Sequence, residues 1–280
     1  MTTIKKGILG FYYSYPSSVN STYTVPGAIA VFKKYNALVF GAGLEETTHP
    51  DHDNTVQIIA GIPKTDVFGY IPATLPIEVI KEKVDKWALM GVAGIFSDVF
   101  GFDFGVTRTK QNEIVDYVHS KGLMNFINCW NPDDAFAPTD SSLLTHLDNR
   151  DIFLAESYVI INDNYQTTEE WLERSKKLVA YRKATGTRLA ATTTTVSGTF
   201  DQDKMDYAYF CSLLFNFDYF SWGEKDFSSI TAQLPFRTRK HVSGNKIISP
   251  ISIEDGFVSV KTNVGIAVNT VLKKAITEVE

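Results

Sequence analysis

The chain has 280 residues, 44% of them hydrophobic and 21% charged, and a formal net charge of −5. That length exceeds the usual single domain but suits one α/β barrel with a small addition. The acidic balance gives no electrostatic footprint for nucleic acid or an anionic membrane, and no apolar run reaches the ~18 residues that span a bilayer. Two cysteines, Cys129 and Cys211, make no disulfide framework and read as small buried thiols. The opening MTTIKKGILGFYYSYPSS places lysines before an apolar patch. Tyrosines and Ser14 interrupt that patch and no small-residue cleavage site follows, so it does not read as a signal peptide.

Short β-type runs then alternate with helical segments. Gly7 to Pro16 is the first run, and a helix with proline at its start covers Pro26 to Tyr35. Ala37 to Gly43 is run two and Val67 to Thr74 run three. The helix from about Pro76 to Met90 puts Val79, Ile80, Val84, Trp87 and Ala88 on one face. GVAGIFSD, Gly91 to Asp98, is run four. A helix from about Lys110 to Lys121 stops at Gly122. Leu123 to Trp130 is run five and Asp151 to Val159 run six. TTEEWLERSKKLVAYRKATG is a helix with acids early, bases late and a terminal glycine. Arg188 to Val196 is run seven, a helix covers Lys204 to Phe215, and Phe217 to Glu224 is run eight.

Eight βα units in series predict a closed (β/α)8 TIM barrel over residues 1–230. The alternative, an open doubly wound sheet, usually carries a glycine-rich phosphate turn, and no such turn follows any run. Residues 231–280 change character. KIISPISIEDGFVSVKTNVGIAVNTVLKKAI reads as short β runs with turn signals at Glu254–Gly256 and Thr262–Asn263. This predicts a small C-terminal antiparallel β appendage.

In such a barrel the active site lies at the C-terminal ends of the strands. Asp98 closes run four and Glu156 follows FLA in run six, so both point over one mouth. Two carboxyls over one cleft suit glycoside hydrolysis, in which one protonates the leaving oxygen and the other attacks or activates water. Structural ion pairs and helix caps also place acids at strand ends. Their separation discriminates: about 5 to 5.5 Å fits retaining chemistry, about 6.5 to 9.5 Å inverting chemistry, and a much larger gap a protein that binds glycan without cleaving it. Tyr12, Tyr13 and Tyr15 end run one, Tyr70 run three, Asn128, Trp130 and Asn131 run five, Thr194 run seven, and Trp222 and Glu224 run eight. From these, Tyr12, Tyr70, Trp130, Asn131 and Trp222 are taken as substrate contacts, since asparagine can hold a sugar hydroxyl and an aromatic ring can stack on a sugar face.

HPDHD, His49 to Asp53, clusters two histidines and two aspartates on the loop after run two. Its spacing fits no metal signature, and it also reads as a turn before a helix capped by Asp53 or Asn54. No metal and no cofactor is expected.

Several segments resemble one known group. FYYSYPSS is similar to the Tyr-rich first strand and Pro-Ser turn of spherulin-4-like proteins, VFGYIPAT to their third strand, and DKWALMGVAGIFSD to their most specific segment. That group is similar in turn to the endo-α-1,4-polygalactosaminidases of glycoside hydrolase family 114, which are (β/α)8 barrels. The resemblance covers roughly residues 7 to 225. It implies endo-acting hydrolysis of an α-linked, galactosamine-containing polymer, with Asp98 as nucleophile or base and Glu156 as general acid/base. The chain departs from the pattern at Val99, where a second acid is common, with Asp103 as a substitute if the loop folds back. It departs again at the end of run two, GAGLEETTH in place of an Asn-containing turn.

The expected partner is a polysaccharide or oligosaccharide, with no nucleic acid and no membrane insertion; the appendage is a candidate for oligomerisation or docking. A start without a leader is compatible with a cytoplasmic protein, a virion- or tail-associated protein, or a chain that has lost its leader. The rival reading is a non-catalytic glycan-binding or structural barrel of the virion or tail type.

Overall fold

The computed structural model describes residues 6–139, 143–240, 251–260 and 265–277. Eight parallel strands close into a barrel: β1 (Gly7–Tyr12), β2 (Ala37–Phe40), β3 (Asp66–Pro72), β4 (Gly94–Asp98), β5 (Met124–Asn128), β6 (Ile152–Ala155), β9 (Arg188–Thr192) and β10 (Tyr219–Ser221). A two-strand hairpin, β7 (Ile160–Ile161) and β8 (Asn164–Tyr165), stands between β6 and β9. β10 pairs with β1, which closes the circle. Among the described residues seven α-helices flank the strands: α1 (Val25–Phe32), α2 (His52–Gly61), α3 (Ile77–Leu89), α4 (Arg108–Ser120), α5 (Pro132–Phe136), α6 (Thr168–Thr185) and α7 (Gln202–Leu214).

The helix ends follow local chemistry. Thr167 and Glu170 form a reciprocal capping box at the start of α6, so two otherwise unpaired backbone donors gain partners. Gly186 ends that helix at a positive φ, which costs glycine nothing. The cap expected at Asp53 or Asn54 is corrected: α2 opens at His52, one residue after Asp51, which places both residues in its first turn.

The strands build two cores, because each buries both faces. Leu9, Phe11, Val39, Phe68, Phe96, Phe126, Ile152 and Leu154 fill the lumen. Phe96 and Phe126 meet edge to face at 5.1 Å, so the barrel is solid rather than a pore. Ile80, Val84 and Trp87 of α3 pack outside it, while Val79 of the predicted face is partly exposed. A Cβ on Gly69 of β3 would run into the Trp87 ring, so this strand and helix can close only with glycine there.

The helix α7 buries Met205, Tyr207, Ala208, Phe210, Cys211 and Leu214 on all sides, as a helix covered from two directions must. The second cover is the predicted appendage: an antiparallel sheet of β11 (Ser252–Glu254), β12 (Phe257–Val260), β13 (Ile266–Asn269) and β14 (Lys274–Thr277). Its Val258, Ile266 and Val268 are buried, and β12, β13 and β14 lie against α7. Asp255 and Gly256, both at positive φ, make the two-residue turn that joins β11 to β12. The second turn signal, Thr262–Asn263, lies outside the described residues. The segment before the sheet clings to the barrel. Asn20 exchanges two hydrogen bonds with the Leu234 backbone, and Arg237 pairs with Glu224 at 2.7 Å. Both cysteines are buried and unpaired, and among the described residues no helix is long and apolar enough to cross a membrane.

Candidate active site

Residues two apart on a strand share a face. Phe96 and Asp98, Phe126 and Asn128, and Leu154 and Glu156 therefore continue three lumen rows up to the C-terminal mouth. There the three polar residues meet. The Asn128 Nδ2 donates to Asp98 Oδ1 at 2.9 Å and to Glu156 Oε2 at 2.7 Å. Tyr70, two residues beyond Phe68 on β3, donates its hydroxyl to Asp98 Oδ2 at 2.7 Å. Both Asp98 oxygens thus have a donor. Because one nitrogen binds both acids, the bound oxygens lie no further apart than its two bonds laid end to end, under about 6 Å.

The Tyr13 ring completes the wall, 5.4 Å from Tyr70 and 5.7 Å from Phe227. Burial pushes the Tyr13 phenol well above its ordinary range, and the Asp98 charge adds to this. Tyr70 is raised as well, first by burial and then by Asp98. Both phenols therefore stay protonated at working pH.

Burial raises the Glu156 carboxyl above the ordinary glutamate range. The Asn128 hydrogen bond opposes the rise, the Asp98 charge adds to it, and the Arg174 charge opposes it. The native state therefore binds this proton more tightly than the unfolded chain. The stabilisation is complete below the unfolded pKa and is lost as pH rises through the native one. Glu156→Gln has no such proton. It is expected to melt a few degrees above wild type at neutral pH, the gap closing below about pH 4; equal melting temperatures across that range would oppose the assignment.

The backbone bends sharply beyond each acid. Val99, directly after Asp98, sits at φ 49°, and Ser157 and Val159, after Glu156, at 53° and 67°. A β-branched residue is rarely found there, and such strain collects where surrounding structure fixes a functional group.

The remaining expected contacts divide. Trp130 stands at the rim, 54% exposed, with the Arg174 guanidinium 5.0 Å from its ring centre. Asn131 is exposed beside Trp130, lines the same cleft, and also caps α5: its Oδ1 accepts from Asp133 N and its Nδ2 donates to Asp134. Tyr12 is corrected. It faces the helices, fully buried against Phe32, and its hydroxyl donates to the Tyr15 carbonyl. Trp222 likewise packs outward, edge-on to Phe200 at 5.5 Å. The lumen-facing Tyr13 holds the place assigned to Tyr12, and Asn128 joins the two acids. Asp103 lies exposed on the 3-10 turn Phe102–Phe104.

The HPDHD segment is tied down by its own bonds. Buried Asp51 accepts from Ser17 N, Ser17 Oγ and Asn54 Nδ2, and a His52 ring nitrogen meets the Leu44 carbonyl. A second cluster, His119, Asp148 and Asp151, brings its ligand atoms within 4.8 Å at the opposite end of the barrel. Arg150 bonds both Asp148 and His119, so a cation's place is already taken by a guanidinium.

The class these features define is a closed (β/α)8 barrel with a carboxylate pair at its mouth. No family model and no curated protein matches the chain. Among solved structures, it is similar to the carboxyl transferase domain of Rhizobium etli pyruvate carboxylase with pyruvate and biocytin, at TM-score 0.52 and 11% identity. That match covers 78% of this chain and 40% of that one. The same domain with 3-bromopyruvate gives 0.50 at 10% identity, over 79% and 40%. N-acetylneuraminate lyase from Fusobacterium nucleatum, complexed with pyruvate, gives 0.43 at 15% identity, over 82% and 72%. The chain thus spans about two fifths of the carboxyl transferase chains it matches, and the likeness carries the fold alone.

Proposed function

We propose that the protein is an endo-acting glycoside hydrolase of the spherulin-4-like, family 114-like kind, acting on a polysaccharide that contains galactosamine. The observation that carries this reading is the single Asn128 amide held between Asp98 and Glu156. Carboxylates that share one amide donor are close enough for the retaining arrangement, which the following steps adopt.

In this reading Asp98 attacks the anomeric carbon while the bond to the leaving oxygen breaks. Glu156, whose hold on its proton burial strengthens, gives that proton to the leaving oxygen. The resulting glycosyl ester is then opened by water. Glu156, now a carboxylate, takes the water's proton, and Asp98 departs with the electron pair of the ester bond. Tyr70 and Asn128 hold the Asp98 carboxylate in line.

The test is reducing-end release from amino-sugar and neutral polysaccharides by wild type, Asp98→Asn and Glu156→Gln. Release by wild type that falls at least a hundredfold in both variants is the expected result. No release from any polymer, with binding kept by all three proteins, would favour the second reading, a non-catalytic glycan binder. Val99, standing where a second acid is common in the resembled group, is the feature on that side.

A further inference from the structure

We propose that the cleft beside Trp130 is the subsite for the sugar ring on the leaving-group side of the scissile bond, with the exposed indole as its stacking platform. The inference rests on the hydrolase reading and specifies where the polymer lies. Of the four tryptophans, Trp87 and Trp171 are fully buried and Trp222 is 7% exposed, whereas Trp130 is 54% exposed. A large ring left open at a barrel mouth loses burial energy that the other three keep.

Its position is fixed. Asn131 caps α5 and bonds Asp134, and the other Asp134 oxygen accepts from Phe102 N at 2.8 Å, so the loops after β4 and β5 are pinned together beneath the ring. Arg174 lies against the indole and donates to the Glu156 carbonyl at 2.7 Å. One side chain thus joins the platform to the backbone that carries the proposed acid. The cleft beyond it encloses about 430 Å³, within the range of small-ligand sites, with Gln166, Glu173 and Lys177 on its walls. An apolar face with polar groups around it is the chemistry that a pyranose ring presents in return. The cleft reaches the Glu156 backbone through Arg174 and lies on the β5 and β6 side of the mouth, whereas Tyr70 stands on β3 and Tyr13 just beyond β1. The acid protonates the leaving oxygen, so the ring beside it is the leaving one.

Trp130 is also the one tryptophan that iodide can reach, which makes binding readable without turnover. In Asp98→Asn protein, α-1,4-linked galactosamine oligosaccharides of two to six rings are expected to protect tryptophan fluorescence from iodide. In otherwise wild-type protein, Trp130→Ala is expected to lower kcat/KM roughly tenfold more on a tetrasaccharide than on a glycosyl fluoride, whose leaving group is too small to reach the indole, about 1.4 kcal/mol of selective binding. Absence of protection at any length overturns the subsite, as does an equal loss on both substrates. Protection without any hydrolysis by wild type keeps the binding cleft, removes the hydrolase and overturns the leaving-group assignment.

Discussion

Replacing Asn128 by alanine is expected to lower kcat roughly a hundredfold and to move the alkaline limb of the pH–rate profile to higher pH. The amide is the one donor shared by Asp98 and Glu156. Removing a fixed donor aimed at charge in an active site typically costs 10²–10³ in rate. The sign of the pH effect follows from what the bond does. It favours the ionised form of Glu156 against burial and against the Asp98 charge. Without it Glu156 holds its proton to higher pH, and the limb that reports loss of the general acid moves with it. Circular dichroism of the variant should match wild type, because the residue sits at the mouth rather than in the packed lumen. An unchanged profile, or a limb moved downward, would remove Asn128 from the machinery.

Asn128 also marks where sequence reasoning stops. The eight runs, the helices between them and both acids were legible, because turn residues, 3.6-residue periodicity and the helix stops at Gly122 and Gly186 leave local traces. Which residue of each strand faces the lumen leaves none. In a parallel barrel both faces are buried, so the alternation that marks inside from outside in an antiparallel sheet is erased. Tyr12 and Tyr13 are equally aromatic, and only the closed sheet sends Tyr13 to the site and Tyr12 to Phe32. The same one-residue ambiguity put Trp222 at the mouth. A usable signal was present: Asp98, Asn128 and Glu156 each follow a bulky lumen residue by two positions, and that shared spacing selects Asn128 as the acids' partner. Run six spans Asp151 to Val159 in the sequence, yet its strand ends at Ala155, since Ser157 and Val159 take left-handed backbone angles beyond the acid. The helix α5 is five residues long, too short to show a period.

The opposite end of the barrel should respond in the opposite way. Asp151 precedes β6 and is fully buried. It accepts from Asn125 N at 2.8 Å, Asn125 Nδ2 at 3.1 Å, Asp148 N at 2.9 Å and the His119 ring at 2.9 Å. Asp151→Ala strands the buried Asn125 backbone and side-chain donors and the part-buried Asp148 N–H. Each such group costs about 1–3 kcal/mol, and breaking a buried charged network about 3–5 kcal/mol. Urea unfolding is expected to show a loss of that size with an unchanged m-value, while kcat measured well below the new midpoint stays near wild type. Asp151→Asn keeps one acceptor oxygen and should fall between. A loss under 1 kcal/mol in Asp151→Ala would mean that the loop relaxes and finds other acceptors. The two substitutions flank adjacent strands, at the end of β5 and the start of β6, yet one should remove catalysis without stability and the other stability without catalysis. That separation is what a barrel with its chemistry at the C-terminal face and its anchoring at the N-terminal face requires.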